Sequence, residues 1–403
     1  MLSDTSHAID TPQQSARGGT RKTAAWSGVF ALSLAAFALI ASEFLPVSLL
    51  TPIASNLAVT EGQAGQAISV SGFFAVITSL VIASVMGRAD RKTMLLMLTG
   101  VMMISGTVVA LAPNYATLMI GRALIGIVIG GFWSMSAATA MRLVSPSQVP
   151  RALSVLNGGN ALATVVAAPL GSYLGALIGW RWTFFTVVPV ALLVLVWLLV
   201  SLPRMPMEHG RAQISPLKLL RRPVVAIGML GVGLFFMGQF TLFTYLRPYL
   251  EGSVRVNVET LSLLLLLIGV MGVFGTVVIG FVLSHAPRLV LVVIPALMAL
   301  VGLALVFSAA SLAVTATLLA LWGFLATAAP VAWWTWLTRT LPDDTEAGGG
   351  LMVAVIQLAI TAGAAFGGLL FDAYGFSTTF MVAAALLLLA AMTAAVPVWI
   401  AQR

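Results

Sequence analysis

The sequence predicts an all-α membrane protein of twelve transmembrane helices, arranged as two pseudo-symmetric six-helix halves. Three observations predict it. Of 403 residues, 60% are hydrophobic and only 8% are charged, against about 25% charged in an ordinary soluble domain. The apolar residues gather in runs of about 20, the length of helix that crosses a ~30 Å hydrocarbon layer. A set of residues ending the first half also recurs 196 positions later in the second.

The same composition excludes other classes. A soluble exterior needs charge that this chain lacks, so a soluble enzyme or a disordered chain is excluded. The net charge of +8 does not predict a nucleic-acid partner, because the basic residues sit in short loops where they orient a membrane protein. With no cysteine, disulfides, iron–sulfur clusters and thiolate nucleophiles are impossible. The three histidines, His7, His209 and His285, fall in the tail and loops. No helical metal motif exists, so no metal or other cofactor is expected.

Residues 1–25 are polar and lack the apolar core of a secretory signal, so they are expected to form a disordered cytoplasmic tail. Six spans follow at about 26–50, 67–86, 94–112, 116–140, 151–174 and 182–200, giving a first half over 26–200. The connection 201–222 holds Pro203, Pro206, Pro216 and five basic residues, and reads as a cytoplasmic linker. The second half, 223–403, carries spans at about 223–246, 260–283, 289–307, 312–337, 351–371 and 378–400. Lipid cannot satisfy backbone polar groups, so spans are helices or closed barrels. Runs such as Leu261–Ile268, interrupted only by Ser262, lack a barrel's alternation.

The repeat places the boundary. Ala168-x-x-Gly171 followed by Gly179-x-x-x-Thr183-Phe184 ends the first half. Ala364-x-x-Gly367 followed by Gly375-x-x-x-Thr379-Phe380 ends the second. Two similar halves are the signature of a secondary transporter with its site between them. All the Lys and Arg residues except Arg122, Arg181, Arg247 and Arg255 fall on the side of the termini. This bias puts both termini in the cytoplasm.

Glu43 lies in the first span about seven residues before its end, roughly 10 Å below the surface at 1.5 Å per residue. A carboxylate there costs several kcal/mol facing lipid, so it should face a cavity or a partner. Such a group is a candidate carrier of a coupling proton. Arg122 lies about six residues into span four, roughly 9 Å deep. The matched depth predicts that the two are close and that Arg122 modulates the acid. A purely structural role, stapling helices together, is the alternative for each.

For substrate contacts, aromatic faces and amides at helical spacing are the candidates: Trp133, Asn157, Asn160, Gln239, Phe243 and Gln357. Rings stack on planar solutes and amides read their polar edges. The short charged turn Gly87–Lys92 anchors the chain on the basic side. Its Asp90 and Arg91 become a gating loop if Asp90 pairs with a neighbouring helix end. Gly126-x-x-x-Gly130 and Gly171-x-x-x-Gly175 predict close helix contacts. No phosphate-binding loop or nucleophile elbow occurs. The chain is therefore not expected to be an enzyme, and uphill transport must draw on an ion gradient.

The residues also carry a resemblance. Arg122-x-x-x-Gly126, Ala168-Pro169-Leu170-Gly171 and Asp90-Arg91-Lys92 resemble motifs of the major facilitator superfamily, in its drug:proton antiporter branch. In this chain Ile125 replaces a frequent Gln, and Ala168 replaces the usual Gly. Longer strings, such as Glu43–Pro52, Gly130–Ala137 and Ala354–Ala359, resemble the purine ribonucleoside efflux pumps of that branch. The resemblance implies the major facilitator fold and proton-coupled export of inosine- or guanosine-like nucleosides across a bacterial inner membrane. The expected partners are a small-molecule substrate, protons and the bilayer, with the protein acting as a monomer. A sugar or a lipophilic drug is the alternative solute.

Overall fold

The computed structural model describes residues 13–85, 90–205, 216–285 and 287–400. His7, His209, the first part of the Gly87–Lys92 turn and the middle of the linker lie outside the described residues, as does the tail up to residue 12. The described chain is helical almost throughout. The first half comprises α1 (Gln13–Leu57), α2 (Glu61–Val85), α3 (Arg91–Ala110), α4 (Tyr115–Leu143), α5 (Val149–Phe185) and α6 (Val187–Ser201). The second comprises α7 (Pro223–Phe243), the single turn α8 (Leu246–Tyr249), α9 (Val258–His285), α10 (Pro287–Phe307), α11 (Leu312–Thr340) and α12 (Thr345–Ile400). Helix α1 thus begins at Gln13, inside the segment expected to be a tail.

Local chemistry sets several of these ends. Asn114 caps α4 by accepting from the Thr117 amide at 3.0 Å, satisfying one of the orphan donors of a helix start. Pro223 opens α7, where its missing N–H costs nothing.

Two helices are too long for one crossing. Helix α12 has 56 residues, roughly 84 Å at 1.5 Å per residue, nearly three times the hydrocarbon thickness. It is broken at Gly375 (φ 76°, ψ −176°), and α5 is broken at Gly179 (φ 80°, ψ 157°). That backbone region is open essentially to glycine alone. The sequence places loops at these points. The structure instead turns each corner on one residue, with helix on both sides. With the short arm of α5 beyond Gly179 joined to α6, and the two arms of α12 counted separately, the described residues form twelve spans. The two breaks are also 196 residues apart, the offset of the sequence repeat.

Two hydrophobic cores lie side by side. One is built almost wholly from the first half, with Tyr245 added. The other is built from the second half, with Val47, Ile68 and Ala168 added. Those four residues mark where the halves meet. The meeting is made mainly by α2 against the first arm of α12 and by α5 against α9. The predicted close contacts form inside the first half. Gly126 and Gly130 seat α4 on Ser71 and Ala75 of α2, and Gly171 and Gly175 seat α5 on Leu45 and Leu49 of α1.

Candidate functional site

The face at which α6 ends and α7 begins is called the basic face, and the opposite one the far face. The site lies between them, where α4 meets α1 beside Pro46. Helix α1 contains Pro46 and Pro52. A proline has no N–H, so the carbonyl four residues earlier loses its helical donor. The carbonyls freed this way are those of Ser42 and Ser48. Each receives an arginine. Arg122 Nη1 donates to Ser42 O at 2.7 Å, and Arg247 Nη1 donates to Ser48 O.

Arg122 is held on four sides. Its Nη2 donates to Glu43 O at 3.0 Å and to Ser71 Oγ at 3.1 Å, and its Nε donates to Ala67 O at 3.0 Å. Only 1% of its surface is exposed. The guanidinium therefore ties α4 to both α1 and α2. The predicted proximity to Glu43 is present, but the contact is to the main-chain carbonyl of Glu43. Among the described residues no ion pair joins the two side chains.

The Glu43 carboxylate points elsewhere. It is 4% exposed, and Gln357 Nε2 donates to its Oε1 at 3.4 Å. Gln357, on the first arm of α12, is itself 8% exposed. The candidate proton carrier of the first half and a candidate substrate ligand of the second half are thus bonded to each other. Beside them Phe44 stacks on Phe240 across the halves, with centroids 5.7 Å apart, and Phe240 meets Phe243 edge-on at 6.1 Å. Gln239, next to Phe240, has a buried Oε1 with no hydrogen-bond partner among the described residues.

Among the described residues, no hydrogen bond or ring contact joins the other predicted ligands to Glu43 or Gln357. Trp133 is half-buried and packs edge-on against Phe132 at 5.6 Å. Asn157 is exposed, and its Nδ2 donates to Leu153 O of its own helix at 2.9 Å. Asn160 is half-buried. In the gating loop, Asp90 Oδ1 accepts from the Met205 amide and Arg91 N donates to Met205 O at 3.2 Å. Those contacts tie the turn to the start of the linker, at the segment that follows α6.

Sequence reasoning missed Ser42 and Ser71 as partners of Arg122. The spacing to Pro46 is the signal for Ser42; nothing local marks Ser71. It also missed Asp372. Its carboxylate accepts from Thr60 Oγ at 2.6 Å and from the Gly62 amide at 2.9 Å, joining the halves at the far face.

A twelve-span bundle in two repeated halves, with ionisable groups at their junction, is the architecture of a secondary transporter. Residues 32–350 match the Major Facilitator Superfamily, and the chain belongs to that family. It is 56% identical to the "Transcription regulatory protein OpdE" of Pseudomonas aeruginosa (strain PAO1), over 96% of each chain. It is 40% identical to the "Purine ribonucleoside efflux pump NepI" of Escherichia coli (strain K12), over 91% of this chain and 93% of that one. A crystal structure of a mutant of the nucleoside transporter NupG superposes with a TM-score of 0.76 at 12% identity, over 92% of this chain and 98% of that one. That likeness speaks for the fold alone.

Proposed function

We propose that this chain is a proton-coupled antiporter that exports purine ribonucleosides from the cytoplasm, with the basic face cytoplasmic and the membrane the bacterial inner membrane. The observation that carries the reading is the Glu43–Gln357 hydrogen bond across the halves, in a chain 40% identical to a named purine ribonucleoside efflux pump. A transporter that exchanges a proton for a solute needs one group that answers to both. A carboxylate bonded to an amide of the opposite half meets that need. While ionised, Glu43 engages Gln357 and holds that amide in the arrangement that accepts a solute. Once Glu43 is protonated from the far face the charge assistance of that bond is lost, the amide moves away and the solute leaves. Arg122 keeps its four bonds throughout and holds the acid in place.

For the solute, Phe243 and Gln239 of α7 and Gln357 of α12 offer a ring face and two amides. That set suits a neutral, planar, hydroxyl-bearing molecule. Trp133, Asn157 and Asn160 belong to the pocket only if the halves rearrange around it. The test is Glu43→Gln in everted vesicles loaded with a proton gradient and offered labelled inosine. Gradient-driven uptake is expected to vanish while inosine counterflow persists. Full gradient-driven uptake in the variant rejects the coupling role, and no inosine movement in either protein rejects the solute.

The name carried by the 56% identical relative favours a second reading, in which the chain influences transcription. A bundle of this kind would act there by changing the concentration of a solute that another protein senses. Glu43→Gln would then abolish the regulatory effect together with transport.

A further inference from the structure

The contacts that seal the far face are not used by the proton chemistry at Glu43. Thr60 immediately precedes α2, and Gly62 lies in that helix's first turn. The first amides of a helix have no intrahelical acceptor, and the positive end of the helix dipole favours an anion. Asp372, from the other half, supplies that anion through its bonds to Thr60 Oγ and the Gly62 amide. Glycine is required at the contact, because a Cβ at position 62 would collide with Asp372 Oδ2 and Gly368 O.

The neighbouring contacts repeat the theme. Tyr245 fills the space left by Gly65 of the first half while its hydroxyl donates to Ala364 O at 2.7 Å. Gln66 Nε2 donates to Ala365 O at 3.3 Å. Arg247, paired with Glu251 at 2.7 Å, donates to the proline-freed Ser48 carbonyl. The second half therefore clamps the first with an anion on a helix N-terminus and a cation on a helix carbonyl.

We propose that Asp372 is the latch of the far face: its carboxylate caps α2 across the two halves and must let go of Thr60 and Gly62 before the bundle opens on that side. It is a positioning residue, touching no solute. The proposal rests on the family's alternating opening and on the reading of the basic face as cytoplasmic, and it needs neither the nucleoside nor the proton assignment to be correct.

The natural chain has no cysteine, so a single introduced thiol reports without background. Thr361 suits this purpose, because its side chain sits against Gly72 of the other half one turn beyond Gln357. The Thr361→Cys protein in right-side-out membrane vesicles is treated with a membrane-impermeant maleimide, with no substrate and no gradient. Asp372→Ala is expected to raise the labelling rate several-fold. Asp372→Asn and Thr60→Val should raise it less, and Asp372→Glu should restore the parent rate. Melting temperature in detergent is measured alongside. A merely structural Asp372 would lower that temperature with labelling unchanged, and this overturns the proposal. If Asp372→Ala does not reach the membrane, the ranking Asp372→Asn and Thr60→Val above Asp372→Glu decides it, equal rates rejecting the latch.

Discussion

The two halves share a skeleton and differ in chemistry. Both break a helix on a glycine with positive φ, at Gly179 and Gly375, and both lay glycines of the broken helix against their first helix. With the same 196-residue offset, Phe44 corresponds to Phe240, and those two rings stack on one another at the junction. One position earlier, Glu43 corresponds to Gln239. Pro46 corresponds to Leu242, so α7 has no freed carbonyl at that level, and the second half buries no arginine there to receive. In the first half the carboxylate sits where Pro46 frees a carbonyl and Arg122 braces the helix by bonding to it. The second half offers an amide at the equivalent place. Repetition supplies a hinge with two similar arms, and the departure from repetition decides which arm carries charge.

That asymmetry can be broken most severely at the acid. Moving the carboxylate to the other half, as Glu43→Gln combined with Gln239→Glu, is expected to leave gradient-driven inosine transport at least about tenfold below the parent, ~1.4 kcal/mol or more of lost coupling. No guanidinium braces position 239. Recovery of pH-driven uptake in the double variant would show the halves to be interchangeable.

Removing the brace comes next. Arg122→Leu strands the buried Ser42 carbonyl, which Pro46 leaves without a helical donor, at about 1–3 kcal/mol, and removes the further charge-assisted bonds to Glu43 O, Ala67 O and Ser71 Oγ. Thermal unfolding in detergent should show a loss of several kcal/mol, whereas Leu318→Ala, at the offset position in the second half, should cost less.

The shared hinge should respond alike in both halves. Gly179→Ala and Gly375→Ala each force a side chain into a glycine-only conformation at about 1–3 kcal/mol, and equal drops in stability are the expected outcome. Unequal drops would mean that only one of the two corners bears load.

The smallest effects are expected at the amides. Gln357→Ala removes one hydrogen bond to a charged group, roughly 1.5–3 kcal/mol in favourable geometry and less at 3.4 Å. It should raise KM for inosine and flatten its pH dependence. Gln239→Ala, whose carbonyl has no protein partner among the described residues, should raise KM alone. A flattened pH profile in the Gln239 variant as well would erase the distinction between the two amides.

The sequence by itself determined the architecture, because crossing a bilayer is a local property. Each span must be apolar over about 20 residues, whatever its neighbours are, and the repeat is visible position by position. It also determined that Glu43 and Arg122 share a depth, since depth follows from rise per residue. The Ser42 carbonyl was legible in principle from Pro46, four residues on. Only the tertiary structure decided which groups these side chains address. Arg122 meets the main chain of Glu43, the carboxylate itself turns to Gln357, 314 residues away, and Asp372 crosses 310 residues to cap α2. Hydrogen bonds depend on distances of about 3 Å, and helices far apart in the chain reach that range only when packed, so no pattern along the sequence encodes them.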